Sequence, residues 1–175
     1  MRISNLKFFL LIIFLNNFLI SQEISFIQSC KITDQIIFET NEGKPKRYSG
    51  YTDDLEKGDY FDITFVFDFS IRDYSINVTT NTDMDISLDK DDFASSTDLG
   101  VYILDRFATA FFGPNEITLE DQGRLGMYRY YKDDWNLHFR RGKVNQSQMI
   151  VADCQSLSKK YDQVLEKFYR IHGYN

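Results

Sequence analysis

The sequence predicts a mainly β fold: an antiparallel meander of about eight or nine strands forming a small barrel or sandwich, followed by one C-terminal amphipathic helix. Three observations carry this. Apolar and polar residues alternate at period two through most of the chain, turn residues punctuate these runs at short intervals, and the period becomes helical only near the C-terminus. With 175 residues, 43% of them hydrophobic and 16% aromatic, the chain is long enough for one domain with a substantial core.

Residues 1–21, MRISNLKFFLLIIFLNNFLIS, place Arg2 and Lys7 ahead of an apolar run from Phe8 to Leu15 and end on the small residue Ser21. This is the layout of a secretory signal peptide. Asn16 and Asn17 interrupt the run short of the roughly 20 apolar residues that a spanning helix needs, which weighs against a retained membrane anchor. Ile27-Gln28-Ser29-Cys30 only loosely resembles a lipobox, and Glu23 separates it from the apolar run. The expectation is an exported, periplasmic or secreted protein whose single β-rich domain spans 22–175.

The elements follow in order. Ile24, Phe26, Gln28 and Cys30 share one face of a first strand, Asp34 punctuates it, and QIIFET forms a second run. The polar stretch NEGKPKRYSGYTDDLEKGD is the longest loop candidate. In DYFDITFVFDFS the residues Phe61, Ile63, Phe65, Phe67 and Phe69 fall on one face, while Asp62, Thr64 and Asp68 fall on the other, so one face is buried and the other largely wet. Tyr74, Ile76 and Val78 continue the pattern after a turn at Arg72-Asp73, as in a hairpin.

In NTDMDISLDKDD, Asp83, Asp85, Ser87 and Asp89 alternate as calcium ligands could, but Leu88 and Ala94 stand where an EF-hand loop wants Gly and Glu. Met84, Ile86 and Leu88 occupy the alternate positions, which describes an amphipathic strand with carboxylates guarding a sheet edge. Short apolar runs LGVYIL and RFATAFFG, then EITLED, a hairpin in 125–141 and SQMIVADC, continue the meander. Leu157, Tyr161, Val164, Leu165, Phe168 and Ile171 then recur at helical spacing, placing a helix over 156–172 with Ser156 or Ser158 as its cap and Gly173 beyond its end. Packed on the sheet, or plugging the open end of a barrel, this helix covers the core.

Two cysteines, Cys30 and Cys154, lie near the two ends of the mature chain; in an oxidising compartment such a pair is most simply a disulfide. Neither a neighbouring His nor a CxxC spacing marks them as catalytic or metal-binding. Removing residues 1–21 leaves 18 basic against 26 acidic residues, a balance of about −8, which excludes a general nucleic-acid-binding role.

Chemistry-bearing patterns are sparse. The two histidines, His138 and His172, fall in different elements, and no HExxH, GxSxG, Walker A or GxGxxG pattern occurs. No catalytic residue, metal or cofactor is expected. Asn77-Val78-Thr79 and Asn145-Gln146-Ser147 match the glycosylation sequon, which matters only in a eukaryotic secretory pathway.

The stretch LGMYRYYKDDWNLHFRR, 125–141, is the most distinctive. An even-length turn at Asp133-Asp134, or at 132–135, puts Tyr128 and Tyr130 on one face with Trp135, Leu137 and Phe139, which makes that face core. The other face then carries Arg129, Tyr131, His138 and Arg140, a local cationic patch in an acidic protein. It is either a site for an anionic ligand or partner, or a wet face whose cations neutralise carboxylates of a neighbouring strand such as EITLED; charge balance is the favoured reading.

An export signal, an antiparallel meander and then a helix, with a disulfide near the end, resemble the lipocalin or calycin plan. The resemblance is one of topology: the Gly-x-Trp pattern near a lipocalin's first strand is missing, since the sole Trp is Trp135, and no family residues carry over. The functional expectation is a non-catalytic binding protein for an apolar or amphiphilic ligand or an envelope partner. A structural or accessory envelope protein with no small ligand is the alternative, and a carboxylate-based hydrolase has the weakest support. An open interior favours the ligand binder, a filled interior with an exposed apolar patch favours an interaction protein, and two facing carboxylates favour the enzyme.

Overall fold

The computed structural model describes residues 22–41, 44–48, 57–70, 72–81, 85–97, 99–121, 126–131, 136–143, 146–157 and 159–173; for 36–41, 44–48, 126–128, 130–131, 136–143 and 146–148 it describes backbone and register only. The signal-like segment 1–21, Trp135 with its turn, and the Asn145 sequon lie outside the described residues. Among the described residues there are twelve strands and one helix: β1 (Gln22–Asn41), β2 (Lys44–Tyr48), β3 (Tyr60–Ser70), β4 (Asp73–Thr80), β5 (Asp85–Asp89), β6 (Phe93–Thr97), β7 (Gly100–Leu104), β8 (Ala108–Phe112), β9 (Glu116–Asp121), β10 (Gly126–Tyr131), β11 (Asn136–Lys143), β12 (Gln146–Cys154) and α1 (Lys159–Ile171).

β3, β4, β5 and β9 follow their period-two pattern. In β3 every second residue from Phe61 to Phe69 is buried; in β5, Ile86 and Leu88 are buried while Asp85, Ser87 and Asp89 face water. The strand count exceeds the eight or nine expected from periodicity, and boundaries move for physical reasons. EISFIQSCKI and QIIFET are one strand, because the chain passes Asp34 through a bulge at Thr33 whose hydroxyl donates to the Val151 carbonyl, 3.1 Å. Within the expected long loop lies β2, which among the described residues pairs only with β1, an edge position that tolerates Pro45. The helix occupies a shorter span than 156–172, beginning at Lys159.

Along the sheet the order is β5-β4-β3-β1-β12-β11-β10-β9-β8-β7-β6, all antiparallel, with β2 beside β1. Its terminal strands β5 and β6 are consecutive in sequence but do not pair, so the path is sandwich-like and not a closed barrel. That it folds over on itself is plain from Phe67 of β3 and Phe112 of β8, far apart along the path, whose ring centroids are 5.5 Å apart.

Aromatic rings fill the space between the layers. Phe26, Phe65, Phe67 and Phe69 stack in succession, and Phe168 of α1 meets Phe67 at 5.9 Å, Phe69 at 5.2 Å, Tyr74 at 5.4 Å and Phe112 at 5.5 Å. The helix thus covers the core with rings drawn from both arms of the sheet, as its apolar stripe requires. Tyr161, also buried, donates its hydroxyl to the Gly113 carbonyl at 2.9 Å, and Lys160 Nζ donates to the Ser25 carbonyl at 2.8 Å.

The first and last strands, β1 and β12, pair with each other. Cys30 and Cys154 are directly paired in register and joined by a disulfide across 124 residues of sequence. Beside them buried Gln28 donates its amide to the Gln155 carbonyl, Ser29 donates its hydroxyl to Asp62, and the Gln155 amide donates to the Ser29 carbonyl at 3.1 Å. Gly100, at φ +150°, lets the β6–β7 turn close against β8: a Cβ there would lie 2.6 Å from the Phe112 carbonyl oxygen.

Two outcomes are expected. Replacing Phe67 with Ala lowers unfolding free energy by about 3–5 kcal/mol in urea titrations, since the ring is fully buried among other rings. Cys154→Ser lowers it by about 4 kcal/mol in oxidising buffer, and reduction of the unaltered protein reproduces the loss; an unchanged melting temperature on reduction contradicts the stabilising role.

Candidate functional site

The four cationic-face positions come together in register. Arg129 pairs with His138, Met127 with Arg140, and Tyr131 with Asn136, so the hairpin register is the even one. Rows across the sheet separate two sets. Ile117–Tyr130–Leu137–Ala152 and Leu119–Tyr128–Phe139–Ile150 run through buried β9 and β12 residues, whereas Thr118–Arg129–His138–Val151 runs between them. Glu116 pairs with Tyr131 and Glu120 with Met127, which places EITLED carboxylates immediately beside the cationic positions. Arg129 Nε lies 3.7 Å from Glu116 Oε1, and that oxygen also accepts the Thr118 hydroxyl at 2.9 Å. The Arg129 charge is thus offset within the sheet by the carboxylate of the neighbouring strand, in a half-exposed pair of modest strength.

An open depression of about 450 Å³ lies at the outer end of β3, β4 and β5, lined by Asp68, Asp73, Ser75, Asp89, Lys90 and Asp91 among others. Lys90 Nζ bonds Asp73 Oδ2 at 2.9 Å, which holds the Asp73 carboxyl below its ordinary range. Among the described residues no group of three or more His, Cys, Asp or Glu side chains is arranged to hold a metal ion. At the head of β6 the turn is built by carboxylates: Asp92 Oδ2 accepts the Asp89 amide at 2.7 Å and Asp89 Oδ1 accepts the Asp91 amide at 2.9 Å. Burial pushes the Asp92 carboxyl up, and the charges of Asp89, Asp105 and Asp91 push the same way, so four carboxylates share this corner.

His172, just past α1, packs on Tyr74 with ring centroids 5.8 Å apart. Tyr74 is 4% exposed, and its hydroxyl and His172 Nε2 are buried with no hydrogen-bond partner among the described residues. Burial lowers the His172 pKa, favouring neutral imidazole. Burial, with the charges of Asp92, Asp89 and Asp73, pushes the Tyr74 hydroxyl up to about 12. Burial thus favours the uncharged form of both groups.

The feature that periodicity did not single out is the outer face of β6 and β7. Phe93 is 66% exposed and pairs directly with exposed Leu104; Tyr102 lies two residues along, its ring tilted against Phe111 with centroids 4.4 Å apart. Phe107, 57% exposed, follows in the β7–β8 turn with the Arg106 guanidinium 5.0 Å from its ring centroid, and Leu99 in the β6–β7 turn is 74% exposed. The available signal was that VYIL is apolar at both parities: Val101 and Ile103 take the core, which leaves Tyr102 and Leu104 outside.

Comparison with protein-family models, with curated proteins and with solved structures gives no match.

The geometry sets two expectations. In a double-mutant cycle, Arg129→Ala and Glu116→Ala couple by no more than about 1 kcal/mol, because the pair is half-exposed. For Tyr74, the unfolded chain releases its phenolic proton near 10 and the folded one near 12, so the folded state holds the extra proton between them and stability falls as pH rises through that window. Tyr74→Phe removes that share of the alkaline fall and raises stability at neutral pH by about 1 kcal/mol, since it deletes a buried hydroxyl that has no partner; chemical denaturation across the pH range checks both.

Proposed function

We propose that this is an exported, non-catalytic binding protein that docks a protein partner through the outer face of β6 and β7. The observation that carries the reading is the contrast between a described interior packed ring against ring, around Phe67, Phe112 and Phe168, and the outward set Phe93, Tyr102, Leu104 and Phe107. An interior filled in this way favours a partner over a small apolar ligand held between the layers. Exposed apolar side chains gathered on neighbouring strands are, in turn, a surface that gains free energy when another protein covers it. The signal-like segment 1–21 and the Cys30–Cys154 disulfide support export to an oxidising compartment. Charge balance against Glu116 leaves the Arg129 face with less claim to an anionic ligand.

Native mass spectrometry of the protein isolated from its own compartment tests the reading. The expected result is a co-purifying polypeptide, present with the unaltered chain and lost with Phe93→Ser/Leu104→Ser, and no small molecule released on mild denaturation. A small molecule released on unfolding overturns it in favour of an interior ligand.

A further inference from the structure

Resting on that reading, we infer that the outer face of β6 and β7 takes a partner surface of one chemistry: an apolar centre that covers Phe93, Tyr102, Leu104 and Phe107, flanked by Lys or Arg side chains. Side chains of the face make the contact, and the strand ladders take no part in it. The apolar centre is supported from behind and from the side. Phe93 and Leu104 are cross-strand partners, and the Tyr102 ring lies tilted against buried Phe111 with centroids 4.4 Å apart. Phe107 holds the Arg106 guanidinium 5.0 Å from its ring centroid. Aromatic side chains placed in this way have little freedom left to lose when a partner covers them.

Carboxylates border this centre on two sides. Where Phe93 and Leu104 pair, Asp92 precedes the first and Asp105 follows the second, and the charges of Asp89, Asp105 and Asp91 all act on Asp92. Across the sheet, the row Phe93–Leu104–Thr109–Glu120 puts exposed Glu120 on the same face, two strands beyond Leu104. Lys90 is bonded to Asp73, Arg106 lies over Phe107 and Arg129 stands beside Glu116, so the border keeps an excess of negative charge. Lys or Arg at the rim of a partner meets this border with opposite charge, which speeds encounter and fixes orientation.

Two other occupants fit less well. A second copy brings the same acidic border, has no Lys or Arg within 93–105, and adds another chain of net charge −6. A membrane of anionic lipids is repelled by the same carboxylates.

Three end-blocked tetrapeptides, Phe-Leu-Lys-Arg, Phe-Leu-Glu-Glu and Ser-Ser-Lys-Arg, test this by titration into isotope-labelled protein isolated from its own compartment, followed in amide correlation spectra. Phe-Leu-Lys-Arg is expected to shift the signals of 91–93 and 102–107. It should bind about fivefold more tightly than Phe-Leu-Glu-Glu at low salt, with the preference fading at high salt. Ser-Ser-Lys-Arg, which lacks the apolar centre, should leave Tyr102 and Leu104 unmoved. Asp92→Asn/Asp105→Asn keeps the side-chain oxygens that accept the Asp89 and Phe107 amides, and should at least halve the preference. Should that variant misfold, the salt dependence of the unaltered protein still decides. Equal affinity for the two Phe-Leu peptides, no shift on this face with either, equal shifts from Ser-Ser-Lys-Arg, or a folded Asn variant that keeps the full preference overturns the inference. So does a concentration-dependent dimer in light scattering that Phe93→Asp abolishes, which assigns the face to a second copy, or sedimentation with phosphatidylcholine vesicles, which assigns it to lipid. If the peptides fail while the co-purifying polypeptide is still lost from the Phe93→Ser/Leu104→Ser variant, selection of a basic rim alone falls and docking on this face stands; if that polypeptide survives the substitution, both fall.

Discussion

Pairing of β1 with β12 is the constraint on which the remaining structure depends. One strand of 20 residues holds β3 along its first half and β2 along its second, while its other edge takes β12. Every other strand reaches its place by short antiparallel steps outward from this ladder. The ladder joins residues separated by most of the chain, so its entropy of closure is large, and the Cys30–Cys154 bond reduces it by restricting the unfolded chain. Buried Gln28 reinforces the same junction by bonding the carbonyl just beyond Cys154.

With its middle held there, the sheet has two arms that fold toward each other, and the aromatic rings determine how closely. Phe67 and Phe112 meet across the layers and Phe168 wedges against both, so the helix is part of the core it covers. Rings at these separations pack in direct contact between the two arms. Phe93, Tyr102, Leu104 and Phe107 remain exposed outside this core. The two terminal strands of the path differ in composition: β5 carries Asp85 and Asp89 outward, while β6 has only small residues behind an exposed Phe93.

The cationic hairpin shows how far local pattern reaches. Parity alone grouped Arg129, Tyr131, His138 and Arg140 apart from Tyr128, Tyr130, Leu137 and Phe139, and the observed pairings have that register. What surrounds the group was not contained in the hairpin: the proximity of Glu116 to Arg129 follows from β9 being the next strand.

By itself the sequence determined the mainly β class, the buried face of each well-alternating strand, the guarded β5 edge, the C-terminal helix and the cysteine pair, because each depends on period, on side-chain chemistry or on counting within a short window. Tertiary structure alone decided that the path stays open as a sandwich, that β2 and β6 are strands, and that Tyr102 and Leu104 face water although their neighbours are core. Closure depends on whether β5 and β6 pair, which two consecutive strands joined by a short turn leave undetermined. The facing of VYIL depends on which parity the opposing layer covers, and a run apolar at both parities carries no local preference between them.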